Sequence, residues 1–180
     1  MTEKHPIILL TGQPGIGKTT IIQRLAERTG NRAGGFYTQE IREGGQRKGF
    51  EIVTFDGERT YLSLKSPRQT FGNEIVFKSY RVNLDGIERV AVQSMVKARD
   101  EGKIIFADEI GPMEITSRLF CDTIRQLLQD ENVSLIGTIV RRPYRFADEV
   151  KRHPRVKIVE VTYRNRDGIT DEIWGMVWKS

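Results

Sequence analysis

The sequence has little of the chemistry that disulfides and cysteine or histidine metal sites require. Cys121 is the only cysteine, and its place in a helical pattern predicts a buried or half-buried thiol. The two histidines, His5 and His153, lie far apart in the chain and in no metal-ligand spacing. A disulfide or a cysteine metal site within the chain is therefore excluded, and neither histidine is assigned a chemical role.

Long apolar runs, internal repeats and low-complexity tracts are also missing. The N-terminus is polar through His5 and is followed by an apolar run of only five residues, too short for a signal peptide or a membrane span. We therefore expect a cytoplasmic protein that does not associate with membranes. Hydrophobic residues make up 38% of the 180 residues, enough for one good core, so we expect one domain over residues 1–180.

The charge is unevenly distributed along the chain. There are 29 basic and 24 acidic residues, a net charge of +5, but residues 141–166 alone contain nine basic residues against three acidic ones. Two interpretations of this basic segment stay open: a solvated surface, or a surface that faces phosphate groups or nucleic acid. The sequence leaves the oligomeric state open as well.

Apolar runs and helical patterns alternate along most of the chain. An apolar run bounded by turn residues is typical of a strand buried on both faces, and its alternation with helices predicts a mostly parallel sheet with right-handed crossovers. The predicted strands lie at residues 7–10, 104–107, 133–140 and 156–161. The predicted helices cover about residues 18–29, 84–101, 117–129, 144–152 and 167–178.

A different pattern occupies residues 35–64. Here β-rich runs are separated by Gly and Asp-Gly turns, which predicts an antiparallel hairpin or meander. Residues 65–80 have no clear period and predict a loop with one strand at most. The expected fold class is therefore α/β, a three-layer sandwich whose mostly parallel central sheet carries an inserted antiparallel hairpin or meander.

The strongest motif lies between the first predicted strand and the first predicted helix. Residues 12–19 fit the phosphate-loop pattern G-x-x-x-x-G-K-[ST]. Because a predicted strand precedes this motif and a predicted helix follows it, a glycine-rich turn that matches the pattern by chance is disfavoured. Glycines let backbone N–H groups curl around phosphates, Lys18 reaches the β- and γ-phosphates, and the Thr19 hydroxyl ligates Mg²⁺. The predicted nucleotide-binding residues are Gly12, Gln13, Pro14, Gly15, Ile16, Gly17, Lys18, Thr19 and Thr20.

Two adjacent carboxylates end the apolar strand at residues 104–107. Asp108 is predicted to hold Mg²⁺ together with Thr19, and Glu109 to orient and deprotonate an attacking water. An isolated Asp-Glu pair is usually an exposed acidic turn, but the buried strand before it and the phosphate loop upstream favour the functional interpretation. The predicted catalytic residues are therefore Lys18 and Glu109, and the reaction is hydrolysis of a nucleoside triphosphate.

Three further residues come at the end of the predicted strand at 133–140. Thr138 is either an ordinary strand threonine or a sensor of the γ-phosphate or the water. Arg141 and Arg142 follow at the edge where open α/β sheets bind ligands. Either could act as an arginine finger, which stabilises the charge that develops on the transferring phosphoryl group, within one chain or across an oligomer.

With these motifs in order, the sequence resembles the THEP1-like nucleoside triphosphatases, a P-loop NTPase group related to RecA-like and AAA+ ATPases. The resemblance covers most of the chain and implies a slow, magnesium-dependent hydrolase that accepts several nucleoside triphosphates, including ATP and GTP. Besides the phosphate loop, it rests on four segments: residues 35–40 with the hairpin that follows, 108–114, 137–139 and 165–167.

The chain departs from the family pattern at two positions. Pro112 stands where the family usually has lysine, so no role of that lysine is transferred, and Val140 stands where it usually has proline. Arg141 or Arg142 is a possible replacement for the missing basic group. The resemblance also suggests the Asn165–Asp167 turn as a contact for the base or ribose, and a helix N-cap there is an equal alternative.

Two other functions compete with hydrolysis. A nucleoside or nucleotide kinase uses the same loop and passes the phosphate to an acceptor, with the basic segment as its lid; Glu109 beside Asp108 disfavours it because that carboxylate can activate water. A nucleotide-gated switch would bind nucleic acid through the same segment, although only Tyr144, Phe146 and Tyr163 offer rings there for stacking.

Overall fold

The computed structural model describes residues 5–65 and 70–178, and within them the framework is one sheet of nine strands. The strands are β1 (Ile7–Gly12), β2 (Ala33–Glu43), β3 (Gln46–Thr54), β4 (Arg59–Leu64), β5 (Glu74–Phe77), β6 (Tyr80–Asn83), β7 (Ile104–Ile110), β8 (Leu135–Ile139) and β9 (Val156–Val161). The helices are α1 (Lys18–Thr29), α2 (Leu84–Gly86), α3 (Gln93–Asp100), α4 (Arg118–Gln129), α5 (Arg145–Lys151) and α6 (Ile169–Trp178). A π-helical segment (Ile87–Val92) joins α2 to α3, and 3₁₀ turns lie at Gly30–Arg32 and Glu114–Thr116.

One half of the sheet is parallel, with the strand order β2-β7-β8-β1-β9. The run at the start of β1 is buried on both faces, with Ile7 and Leu9 in one core and Ile8 and Leu10 in the other. A continuous apolar run fits this position because helices cover both faces of a parallel sheet. Since β8 lies between β7 and β1, the carboxyl ends of these three strands meet at one edge.

The other half of the sheet is antiparallel and grows out of β2. This strand pairs in parallel with β7 up to Phe36 and then continues as the antiparallel partner of β3, which is followed by β4, β6 and β5. The meander thus extends the central sheet. The expected α/β class with a mostly parallel centre and an antiparallel insertion is confirmed.

Helices cover the two faces of the parallel half and complete three layers. On one face, α1 and α6 enclose a core that includes Ile22, Leu25 and Ile173. On the other face, the π segment, α3, α4 and α5 enclose a larger core that includes Phe120 and Met95. Both helices α1 and α4 bury the residues that recur at helical spacing in the sequence, so the periodic pattern identified the correct faces.

Several boundaries differ from the sequence-based expectation. The last helix begins at Ile169, because residues 162–168 form consecutive turns, and the strand expected at 133–140 is shorter because Val133 closes a turn onto Asp130. One strand, β5, falls within residues 65–80, but β6 begins at Tyr80 and was missed. Asn83 caps α2, since its Oδ1 accepts a hydrogen bond from the Gly86 N–H at 3.0 Å.

Parts of two expectations fall on residues that the structure does not describe. These are residues 1–4 of the polar N-terminus and residues 66–69 of the expected loop. Within the described ranges, no helix has both the length and the apolar character needed to cross a bilayer.

Candidate active site

The loop between β1 and α1 is shaped by glycines at its two ends. At Gly12, where β1 ends, a Cβ atom would lie only 2.6 Å from the Val161 carbonyl oxygen on β9. Gly17 has a φ of 104°, a conformation that L side chains rarely adopt, and it directly precedes α1. Between them, Gln13, Pro14 and Gly15 are exposed. Glycine is therefore required at the start of the loop by the neighbouring β9 main chain and at its end by the backbone conformation.

The N-terminus of α1 points its free N–H groups toward this loop. Gly17 offers no side-chain cap, and the described residues place no acidic side chain in the first turn of α1. Ile16, 3% exposed, anchors the loop in the core, whereas Thr20 is exposed. An uncapped helix start combines unpaired N–H donors with the positive end of the helix dipole, which favours an anion.

Lys18 lies over the loop from the first position of α1. Its Nζ donates hydrogen bonds to the carbonyl oxygens of Gly12 at 3.3 Å and Gln13 at 3.2 Å. The ammonium group is thus held beside the same loop that presents the helix N–H groups. The structure brings together the sequence-predicted residues from Gly12 to Thr20.

Asp108 and Glu109 sit in an irregular part of β7 next to β8. Ala107 pairs with Gly137 and Ile110 with Ile139, so these two acidic residues lie opposite the single residue Thr138. Such a bulge changes the direction in which side chains leave the strand. The two carboxylates therefore come at the same sheet edge as the loop that follows β1.

Asp108 is the most enclosed acid of the site, at 2% exposure. Burial raises the pKa of its carboxyl group, and the Thr138 hydroxyl, the nearby Thr19 hydroxyl, the charge of Lys18 and the Thr38 amide oppose that rise. The Thr138 Oγ1 donates to Asp108 Oδ1 at 2.5 Å. The other oxygen, Oδ2, is buried and has no hydrogen-bond partner among the described residues.

Glu109 and Glu114 form a second pair of acids beside Asp108. A Cβ atom on Gly111 would lie 3.2 Å from Glu109 Cδ and 2.8 Å from Glu114 Oε2, so both side chains pack against this glycine. Burial, followed by the Asp108 charge, raises the pKa of Glu109, while Lys18 lowers it. Burial, followed by the charge of Glu109, raises the pKa of Glu114 to about 8.

The sequence reasoning gave no role to two groups at this site, Glu114 and Thr38. Glu114 is fully enclosed although its position in a 3₁₀ turn predicts exposure. Thr38 follows the part of β2 that pairs with β7, and its main-chain N–H faces Asp108. Main-chain donors leave no trace in residue type, so only the strand register reveals Thr38.

Arg141 and Arg142 follow β8 at the rim of the site. Arg141 Nη2 lies 3.5 Å from Glu160 Oε1 on β9, and its carbonyl oxygen accepts a hydrogen bond from Lys151. Arg142 is exposed. Among the residues that the structure describes, neither arginine forms a hydrogen bond or ion pair with the acids of β7.

Other members of the basic segment are structural. Arg155 donates to the carbonyl oxygens of His5, Leu128, Asp130 and Val133 and so ties β1, α4 and the start of β8 together. Arg155 therefore has few N–H donors left for a phosphate group, although its position places it in the basic segment.

The Asn165 side chain is hydrogen-bonded to groups at the end of β9 and in the turn that follows. The Asn165 Oδ1 accepts hydrogen bonds from the Thr162 N–H at 2.7 Å and the Thr162 hydroxyl at 3.2 Å, and its Nδ2 donates to the Glu160 carbonyl at 2.8 Å. These partners lie in the last residues of β9 and in the turn that follows it. Asn165 thus shapes the chain between β9 and α6.

A family model described as NTPase matches residues 7–174. The chain is 40% identical over 169 residues to the nucleoside-triphosphatase THEP1 of Thermotoga maritima, covering 92% of this chain and 92% of that protein.

Two solved structures share the fold. The crystal structure of THEP1 from the hyperthermophile Aquifex aeolicus superposes with a TM-score of 0.84 at 36% identity, covering 96% of this chain and 99% of that one. The solution structure of a human cancer-related nucleoside triphosphatase gives a TM-score of 0.81 at 34% identity, covering 97% and 98%. The resemblance seen in the motifs is confirmed, and the chain belongs to the NTPase family that includes the THEP1 nucleoside-triphosphatases.

Proposed function

We propose that this protein hydrolyses nucleoside triphosphates, ATP and GTP among them, to the diphosphate and inorganic phosphate, with Mg²⁺ as its cofactor. The observation that carries the proposal is the arrangement of Asp108 and Glu109 at a strand bulge beside the loop formed by Gly12–Thr19. A phosphate-binding loop next to two adjacent carboxylates provides both a binding site for the triphosphate and a group that can activate water. The relatives with solved structures bear names that agree with this activity.

The loop and the start of α1 bind the phosphate groups in this proposal. The curled backbone of Gly12–Gly17 and the uncapped N–H groups of α1 act as fixed donors to the phosphate oxygens. Lys18 exchanges its two carbonyl partners for the β- and γ-phosphates, since its flexible stem allows the ammonium group to move that far. Thr20, exposed on the first turn, binds the phosphate nearest the nucleoside.

Thr19 on α1 and Asp108 on β7 fit a Mg²⁺ site. Asp108 presents a buried oxygen, Oδ2, that lacks a partner among the described residues, and the Thr19 hydroxyl is near this carboxylate. Carboxylate and hydroxyl oxygens are the ligands that a hard cation prefers, and few protein ligands suffice because substrate phosphates and waters complete the shell. When bound there, Mg²⁺ supplies positive charge that neutralises the phosphate oxygens.

The described residues contain no group of three or more acidic, histidine or cysteine side chains arranged as a metal cage. This agrees with a metal held in large part by the substrate, in which Asp108 and Thr19 provide only the protein side.

Glu109 is the general base in this mechanism. It follows Asp108 at the bulge and is less enclosed than Asp108, and its side chain accepts no hydrogen bond from the residues that the structure describes. The water proton passes to the Glu109 carboxylate as the water oxygen attacks the γ-phosphorus, and the bond to the leaving diphosphate breaks. Thr138, held by Asp108, sits opposite this pair and limits where the water and the γ-phosphate can lie.

The kinase alternative requires an acceptor in place of the water. The test is to incubate the purified protein with Mg²⁺ and each of ATP, GTP, CTP and UTP, with and without nucleosides and nucleoside monophosphates, and to resolve the products. Hydrolysis is supported if free phosphate and the nucleoside diphosphate form without an acceptor and no longer form when EDTA replaces Mg²⁺. Phosphate that appears only on an added acceptor would show a kinase.

The nucleic-acid switch is addressed by the partners of the basic segment. The Nη1 and Nη2 donors of Arg155 are occupied by main-chain carbonyls, and Arg141 is paired with Glu160, so neither side chain is a free donor to a polyanion. Retention of single-stranded RNA and DNA at increasing salt, with and without nucleotide, checks this point. Tight retention that depends on nucleotide, without turnover, would favour the switch.

A further inference from the structure

The sheet order restricts where the nucleoside of a bound nucleotide can lie. This inference rests on the proposed function, in which the γ-phosphate faces the acids of β7. Those acids are on one side of β1, beyond β8, whereas β9 is the neighbour of β1 on the opposite side. A triphosphate whose γ end points toward β7 therefore directs its nucleoside toward β9 and the turns that follow it.

Contacts at both ends hold these turns beside α1. At the upper end, Gly12 pairs with Val161, the last residue of β9, and packs against its carbonyl oxygen. At the lower end, Arg28 in the last turn of α1 forms an ion pair at 2.5 Å with Asp171 in the first turn of α6. Residues 162–168 thus begin beside the phosphate loop and lead to the start of α6, which packs against α1.

One large aromatic side chain is exposed in these turns. Tyr163, the second residue after β9, is 69% exposed, and the Arg166 guanidinium lies 5.2 Å from its ring centroid. The described structure gives Tyr163 no ring partner other than Arg166. A tyrosine this exposed buries little apolar surface in folding, so its ring is available to a ligand.

The turn that carries Tyr163 is stiff. The Asn165 side chain bonds to Thr162 in the turn and to the Glu160 carbonyl on β9, and the N–H groups of Gly168 and Ile169 both donate to the Asn165 carbonyl. A ring fixed before the ligand arrives loses less conformational entropy on binding than one on a mobile loop.

We propose that Tyr163 forms the base platform of this enzyme, stacking on the nucleobase, with Arg166 holding the ring on its other side. Stacking uses the π-face that every nucleobase has, so it binds purines and pyrimidines alike and favours the larger purines. The residue that sequence reasoning pointed to, Asn165, then acts only by shaping the turn. The platform predicts broad base tolerance with the affinity order purine above pyrimidine.

The test separates the base from the phosphates by using a ligand that has no base. Binding of ADP, CDP and inorganic tripolyphosphate is measured by titration calorimetry in Mg²⁺ for wild type, Tyr163→Leu, Tyr163→Phe and the control Tyr61→Leu. Tyr61 is a half-exposed tyrosine in the antiparallel part of the sheet. We expect Tyr163→Leu to weaken ADP binding by about 5- to 150-fold, from the usual size of base–aromatic stacking.

The other expected results follow from the same contact. Tripolyphosphate affinity stays unchanged in Tyr163→Leu, CDP loses less than ADP, and Tyr163→Phe retains ADP binding because the ring remains. Unchanged ADP binding in Tyr163→Leu, or an equal loss for ADP and tripolyphosphate, would overturn the base platform and leave the phosphate site standing. A wild-type protein that binds none of the three ligands would overturn the proposed function, and the base platform with it.

Discussion

Thr138 Oγ1 on β8 donates a hydrogen bond to Asp108 Oδ1 on β7, at 2.5 Å and out of contact with solvent. This bond joins the two strands where the bulge separates their main chains. It also occupies one carboxylate oxygen and leaves Oδ2 free for another ligand. Thr138 therefore has a structural and a functional role at once, and the two interpretations of the sequence need not exclude each other.

Replacing Thr138 tests that bond. Thr138→Val keeps the shape and removes the hydroxyl, so the buried Asp108 loses a donor that favours its charged form. We expect the free energy of unfolding to fall by about 1–3 kcal/mol at neutral pH, the cost of leaving a buried polar group unsatisfied. Urea denaturation measures the change, and Thr138→Ser, which keeps the hydroxyl, is the control. Equal stability of all three proteins would show that the bond contributes nothing.

Lys18→Ala tests the phosphate loop. Lys18 donates only to two carbonyl oxygens of its own loop, so its loss should leave the fold and the unfolding midpoint nearly unchanged. Affinity for ATP should fall by about 100-fold, since a charged partner of the phosphates is removed. Equilibrium binding checks this, with Lys157→Ala on the edge strand β9 as the matched control. Wild-type affinity in Lys18→Ala would contradict the assignment of the loop.

Asp108→Asn tests the metal side. An amide oxygen is a poorer ligand for a hard cation than a carboxylate, so we expect the Mg²⁺ concentration needed for half-maximal turnover to rise by about 10- to 100-fold. ATP binding in EDTA should change little, because that measurement does not involve the metal. A Mg²⁺ requirement equal to that of wild type would remove Asp108 from the metal site.

Glu114 predicts a pH dependence of stability. Burial raises its pKa from the usual 4.5 to about 8, so the native protein keeps this proton over a range where the unfolded chain releases it. At a pH between these two values, unfolding therefore releases a proton. The free energy of unfolding should fall by on the order of a few kcal/mol as pH rises from about 4.5 to about 8.

Glu114→Gln should reduce this decline, because the amide stays neutral and still accepts main-chain hydrogen bonds. Asp108 and Glu109 contribute in the same direction, since the pKa of each is raised, so part of the slope remains. Urea denaturation of both proteins from pH 5 to pH 9 in EDTA measures the two slopes. Identical slopes would show that Glu114 does not titrate as described.

Much of the parallel half of the fold was readable from the sequence. The apolar runs at residues 7–10 and 104–107 have no polar interruptions, β8 has only Thr138, and glycine marks the ends of β1 and α1, so local signals agree with the tertiary structure. The phosphate loop was recognisable because phosphate binding sets its glycine, lysine and threonine spacing, and Asp108 and Glu109 because they end an apolar strand; their roles at the site stay predictions.

Other features depend on long-range contacts and left weaker signals. The strand β6 has only four residues and its pairing with β4 and β5 supplies its stability, so no periodic pattern preceded it. The burial of Glu114 depends on how the 3₁₀ turn packs against Gly111. The structural use of Arg155 was hidden in a run of charges, because its partners are main-chain carbonyls from four separate places.

The most direct test of the account is Glu109→Gln, studied by equilibrium binding of ATP and by single-turnover hydrolysis on the same protein. The amide keeps the shape of the side chain and leaves Asp108 and Thr19 in place, so ATP and Mg²⁺ should bind nearly as in wild type. The base is lost, and general-base catalysis typically contributes about 10²- to 10⁴-fold, so the single-turnover rate should fall within that range. If Glu109→Gln hydrolyses ATP as fast as wild type, Glu109 is not the base and the proposed mechanism is wrong.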